Sequence, residues 1–226
     1  MFQKIINNRA YLLFCCLYAT FLLAGVVFFL TLKHGDMVLF INRHSNEIFD
    51  PIMVFFTDLG LGSYMIILVL LLSFWKVRYS IMGLIDMAFV GIFAGVGKRL
   101  AFADRGRPMM YFYYDDFTRF IHTAELNYFF SFPSGHTMTA FAIMALLTYI
   151  VGKRWLAVVF FLLALMVGFS RMYLLQHFFL DVYFGSLFGM ISCFLTIWLC
   201  ESRIRVLSHP VLNHSVVGFF HRSRNN

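Results

Sequence analysis

Apolar residues run almost without interruption from 11 to 32, far enough to cross a bilayer as one helix. The next stretch, 33–60, mixes apolar positions with Arg43, Glu47, Asp50 and Asp58. It is too polar to span, and it predicts a partly amphipathic helix lying in the interface, broken near Pro51. Five further apolar segments follow, at 61–75, 79–102, 133–151, 155–169 and 177–200. Basic residues punctuate them: Lys76 and Arg78 after the second segment, Lys98 and Arg99 near the end of the third, Lys153 and Arg154 between the fourth and fifth. The pattern predicts an all-α polytopic membrane protein with six transmembrane helices and an interfacial helix between helices 1 and 2. A cleaved signal peptide is the rival reading of the first run. The length of the run and the lack of an A-x-A-like site after it argue against that.

Composition agrees: 61% of the chain is hydrophobic and 13% charged, far from the soluble average. The formal charge of +7 does not point to nucleic acid, because the basic residues sit in short loops and the tail. Six crossings place both termini, the Lys76–Arg78 turn and the Lys153-Arg154 turn on one side. Their charge makes that side the cytoplasm. The expectation is a single membrane-embedded domain over 1–200 and a basic cytoplasmic tail over 201–226, in a bacterial inner membrane. Helix 3 then ends, helix 4 starts, helix 5 ends and helix 6 starts on the opposite face, towards the periplasm or exterior. Cys15, Cys16, Cys193 and Cys200 all lie in apolar runs and suggest neither a disulfide framework nor a catalytic thiol.

Two polar stretches interrupt this background. In SRMYLLQHFFLD, 170–181, His177 and Asp181 stand four apart, one helical turn on one face. A carboxylate beside an imidazole fixes its tautomer and stabilises its cation. Arg171 brings a planar fork of donors suited to phosphate. In FPSGHT, 132–137, Pro133 at a first helical position followed by Ser134 and Gly135 reads as a helix start with free N–H groups for an anion. His136 follows. Singly, these residues also fit bland roles: a histidine satisfied by backbone, or a hydrogen-bonded pair capping a helix. His136, His177 and Asp181 would also make a metal-ligand set for a metal-dependent membrane hydrolase, although Arg171 and Arg107 nearby would repel a cation. A transporter is the non-enzymatic alternative, without the paired broken helices that would favour it.

PSGH followed by SR-x5-H-x3-D resembles the type 2 phosphatidic acid phosphatase family, relatives of the vanadium haloperoxidases, over roughly 80–200. The resemblance implies that His177 attacks phosphorus to form a phosphohistidine, with Asp181 orienting it. His136 would protonate the leaving oxygen and then activate water. Arg171, Arg107, Lys98 and the N–H groups of Ser134 and Gly135 would hold the phosphate, with no metal or cofactor. The first motif departs from the family's Lys-x6-Arg-Pro: Arg107-Pro108 is present, but eight residues separate it from Lys98. Arg105 stands at the six-residue spacing and is followed by Gly106, so Lys98, Arg99 and Arg105 all stay open for that role. The implied substrate is a lipid phosphate or diphosphate, such as undecaprenyl diphosphate, phosphatidylglycerol phosphate or a lipid A-type phosphate. The outward site and the aromatic loop favour a saccharolipid or polyprenyl lipid slightly. That loop, 109–130, reads equally as a lid for acyl chains or an interfacial anchor. His122 within it reads as a surface histidine, and Asp86 as a helix-packing contact rather than a proton site. The partners expected are the lipid substrate and the bilayer, with no nucleic acid, and the oligomeric state is left open.

Overall fold

The structure, a computed structural model, describes residues 2–102, 104–112, 116–121, 127–204 and 209–217. His122 and tail residues Arg205, Arg222 and Arg224 lie outside these. The described residues form helices and no strands. In chain order they are α1 (Phe2–Asn7), α2 (Arg9–Thr31), α3 (Asp36–Arg43), α4 (Asp50–Asp58), α5 (Gly62–Trp75), α6 (Val77–Val96) with a π-helical turn (Gly97–Ala101), α7 (Pro108–Tyr111), α8 (Gly135–Val151), α9 (Arg154–Tyr173) and α10 (Phe179–Ser202).

Local chemistry sets several of these boundaries. Asn8 caps α2, its side-chain oxygen accepting from the Tyr11 amide at 3.1 Å. Ser134 caps α8, accepting from the Thr137 hydroxyl at 2.9 Å. Pro133 therefore precedes that helix instead of opening it. Gly152, at φ 68°, closes α8 in the left-handed conformation that favours glycine. The polar stretch 33–60 holds two helices, α3 and α4, where the sequence predicts one broken near Pro51. Pro51 falls in the first turn of α4, where a missing N–H costs nothing, so it starts a helix and does not break one.

Among the described residues, Arg9–Thr31, Val77–Arg99, Arg154–Tyr173 and Phe179–Ser202 are long and apolar enough to cross a membrane. Asp50–Asp58 and Gly62–Trp75 qualify only together, as a pair bent by 56°, and α8, with 17 residues, is shorter than those four. That makes four or five such spans where the sequence pattern predicts six.

This shorter apolar helix, α8, is the central one. Every residue of α8 from Thr137 to Thr148 is buried, with α2, α6, α9 and α10 around it. A helix that is apolar on all faces belongs in such a position. Against α10 it packs with almost no side chain between. A Cβ on Gly185 would stand 2.6 Å from the Ser134 carbonyl oxygen, and one on Gly189 would stand 2.4 Å from that of Met138. Small residues four apart let helix backbones approach this closely. On the other flank of α10, Asp86 of α6 is fully buried and accepts from Ser192 at 2.7 Å, a polar link between helices.

Cross-contacts define two ends. At one, Asn8 reaches the Tyr149 carbonyl at 2.9 Å, and Glu201 pairs with Lys4 and Arg78. At the other, the end of α6, the starts of α5, α8 and α10, and the end of α9 converge, as the following contacts show.

Candidate active site

The loop between α9 and α10 is shaped by a turn back onto its own helix. Leu175 takes φ 56°, a left-handed conformation costing a non-glycine residue roughly 1–2 kcal/mol. It lets the Arg171 carbonyl accept from the amides of both Gln176 (2.9 Å) and His177 (3.2 Å). His177 is thereby carried into the interior, where it is 1% exposed.

Asp181, in the first turn of α10, is held on both sides. Its carboxylate accepts from the Phe178 amide at 2.9 Å and from the Ser131 hydroxyl. Its carbonyl accepts from the Ser134 amide at 3.0 Å, which ties the start of α10 to the start of α8. The carboxylate lies 3.5 Å from His177 Nδ1, and the Ser131 hydroxyl lies 3.5 Å from the same nitrogen. Nδ1 is thus turned to the Asp181–Ser131 pair, and Nε2 is the nitrogen left to face a substrate. In this loop, burial first, and then the charges of Arg171, Arg107 and Lys98, hold the His177 imidazole well below the usual histidine range. A neutral imidazole is the nucleophilic form.

Three cations surround the histidines. Arg171 donates to the Thr57 hydroxyl at 2.5 Å, while its Nε is buried with no hydrogen-bond partner among the described residues. Arg107 is fixed by the far end of the aromatic loop: its amide donates to the Tyr128 carbonyl (2.8 Å) and its Nε to the Phe129 carbonyl (2.9 Å). Burial pulls the Arg107 guanidinium below its ordinary range, and Asp181 works against that. Lys98, in the π-helical turn, places Nζ 3.6 Å from where a Gly135 Cβ would stand, over the first turn of α8. Arg99 and Arg105 are both exposed.

His136 is half-buried, and Arg171, His177, Lys98 and Arg107 are its charged or titratable neighbours. A Cβ on Gly60 would stand 2.8 Å from His136 Cβ, so only a glycine lets the α4–α5 corner reach this turn.

The fold therefore brings His136, His177, Asp181, Arg171, Arg107, Lys98 and Gly135 to one place. Ser134 is there too, but its amide is committed to the Asp181 carbonyl and its hydroxyl to the cap. Sequence reasoning missed Ser131, Thr57, Gly60 and Gln176. Ser131 flanks one motif and Gln176 sits at a variable position inside the other, and that proximity was their one signal.

The described part of the aromatic loop is pinned to the α3–α4 segment. Arg119 binds Asp50 at 2.9 Å, and Asn42 receives the Thr118 amide at 2.9 Å. Behind the first turn of α10, a largely apolar cavity of ≈ 810 Å³ is lined by residues that include Phe21, Phe28, Met172, Phe179 and Val182.

This chain is similar to known proteins to different extents. Phosphatidylglycerophosphatase B of Bacillus subtilis (strain 168) is 28% identical over 160 residues, covering 65% of this chain and 72% of that protein. The crystal structure of Aquifex aeolicus LpxE superimposes with a TM-score of 0.64 at 24% identity, over 73% of this chain and 94% of that one. The crystal structure of the first transmembrane PAP2 type phosphatidylglycerolphosphate phosphatase from Bacillus subtilis gives 0.56 at 22% identity, over 91% and 99%. The sequence profile of the PAP2 superfamily matches residues 82–205, which span both motifs and more than half of the chain, so the chain belongs to the PAP2 superfamily.

Proposed function

We propose that the protein is an integral-membrane phosphatase that crosses the bilayer six times and removes a phosphate from a lipid phosphate or diphosphate through a phosphohistidine. The observation that carries this reading is the buried His177, with the Asp181 carboxylate 3.5 Å from its Nδ1 and Arg171, Arg107 and Lys98 around it. Nε2 of His177 attacks phosphorus as the bond to the lipid oxygen breaks. His136 gives that oxygen its proton. In the second step His136 takes a proton from water, the hydroxide oxygen bonds to phosphorus, and the P–N bond breaks. The three cations and the Gly135 end of α8 meet the charge on the equatorial oxygens. Support for a metal-free reaction is the cation ring itself, which supplies the charge a metal would. Among the described residues no three His, Cys, Asp or Glu side chains are grouped for a metal.

The lipid character follows from the setting: a polar site at the end of apolar helices, with the apolar cavity behind α10 wide enough for part of a lipid chain. The similarity to phosphatidylglycerophosphatase B adds phosphatidylglycerol phosphate to the first substrates to try. The site faces the periplasm or cell exterior.

Phosphate release from a panel of lipid phosphates and diphosphates in detergent, with His177→Ala as the blank, tests the reading. Activity is expected to persist in EDTA and to be inhibited by vanadate, which mimics five-coordinate phosphorus. Loss of activity in chelator, restored by zinc or magnesium, would overturn the metal-free mechanism.

A further inference from the structure

Between the two arginines lies a neutral residue, at the last variable position of the second motif. Gln176 is 3% exposed. Its amide oxygen accepts from Arg107 Nη1 at 2.5 Å, Arg171 Nη2 at 3.5 Å and Asn127 Nδ2 at 3.3 Å. Its amide nitrogen donates back to the Leu174 carbonyl at 3.4 Å, which turns the oxygen towards the guanidiniums. The backbone beneath is fixed by the bond from the Gln176 amide to the Arg171 carbonyl.

We propose that Gln176 is a positioning residue, whose amide oxygen yokes Arg107 and Arg171 at the separation that grips a phosphoryl group. The proposal rests on the phosphatase reading above and assigns the residue that sets the affinity of that site for an oxyanion. Two buried like charges repel and drift apart unless an acceptor joins them. A carboxylate at this position would join them but also cancel the positive field that draws phosphate in. An aliphatic residue would leave the field and remove the joint. A carboxamide oxygen has two lone pairs and no net charge, so it holds both guanidiniums and leaves their charge for the substrate. It also leaves a donor for that substrate, since Arg171 Nε has no partner among the described residues. Gln176 precedes the nucleophile directly, so the same backbone turn sets the cradle and the attacking nitrogen in register.

The test uses orthovanadate as the probe on purified full-length protein in detergent. Gln176→Leu keeps the volume and removes the acceptor, and Gln176→Glu keeps the acceptor and adds charge. A charge-assisted hydrogen bond lost from a buried site predicts vanadate binding weaker by roughly tenfold to a hundredfold in Gln176→Leu. The value of kcat/KM on the lipid phosphate should fall in parallel. Gln176→Glu should bind vanadate more weakly still, although its arginines remain paired. Melting temperatures identify a variant that has not folded, and either variant alone carries the test. Vanadate affinity in a folded variant equal to wild type, or tighter, overturns the proposal, tighter binding meaning that Gln176 occupies the anion's place. Failure of the phosphatase reading shows elsewhere: the wild type releases no phosphate, or His177→Ala still does.

Discussion

The two histidines differ in their surroundings, and this separates their expected defects. His177 is sealed against Asp181 and Ser131, while His136 is half-open at the start of α8. A lipid alkoxide needs a proton to leave, and a nitrophenolate does not. General acid catalysis is worth about 10² to 10⁴ in rate, so His136→Ala should lose that much on a lipid phosphate. On an aryl phosphate it should show a burst of nitrophenol followed by slow turnover, because the water step still lacks its base. His177→Ala should show no burst on either substrate. Equal losses on both substrates for His136→Ala would remove it as the acid. Among the cations, Arg107→Ala should abolish nearly all activity. Lys98→Ala should be more severe than Arg99→Ala or Arg105→Ala, because Lys98 Nζ lies over the α8 start while the two arginines are exposed. If Arg105→Ala is the most damaging of the three, the six-residue spacing governs the motif and Lys98 has another task. His136, His177, Asp181 and Arg171 were legible in the sequence because each motif packs its chemistry into one helical turn or loop. Thr57 was not, since a lone threonine 114 residues before its partner Arg171 carries no spacing to read.

Individual helices depend on where their glycines fall. Gly185 and Gly189 form a small face on α10 that sits on the α8 backbone, whereas a Cβ on Gly91 of α6 would meet nothing within 4 Å. Gly189→Val should cost about 1–3 kcal/mol through overpacking, seen as a lower melting temperature in detergent. Activity should fall as well, since the seam sets the height of Asp181 against His136. Gly91→Ala should be neutral or slightly stabilising, as alanine suits a helix better. A Gly189→Val protein that melts like wild type would mean that the seam is looser than described. The spacing of these glycines is visible in the sequence, but the face they occupy is not. A helix apolar all round has no polar side to reveal which stripe meets a neighbour. In 33–60 the polar contrast did predict a break, placed near Pro51, and the break falls just before it, at 44–49.

For the whole molecule, the two ends are chemically unlike. Lys76, Arg78, Lys153 and Arg154 mark the end opposite the site, and the arginines of the site mark the other. In a background without the four native cysteines, Ile48→Cys should react with an impermeant thiol reagent in spheroplasts, and Lys153→Cys should not. Both positions are exposed in the fold. The reverse labelling would turn the site to the cytoplasm. Hydropathy made the helical order legible, because alternating apolar runs and basic turns suffice to place four helix ends on one face. Span number was less legible. A helix surrounded by other helices, like α8, need not match the bilayer's thickness with its own length. One feature of the site also bears on how the protein is made. Its contacts join Thr57 to Arg171, Arg107 to Gln176 and Ser131 to Asp181, across 114, 69 and 50 residues of chain. A ribosome adding about 5–20 residues per second needs roughly 7 to 29 s to pass from Thr57 to Ser202. Lys98 and Arg107 leave the ribosome early in that interval, and Arg171, His177 and Asp181 follow late and close together. On the proposed mechanism, hydrolysis therefore waits for α10, whose first turn carries Asp181.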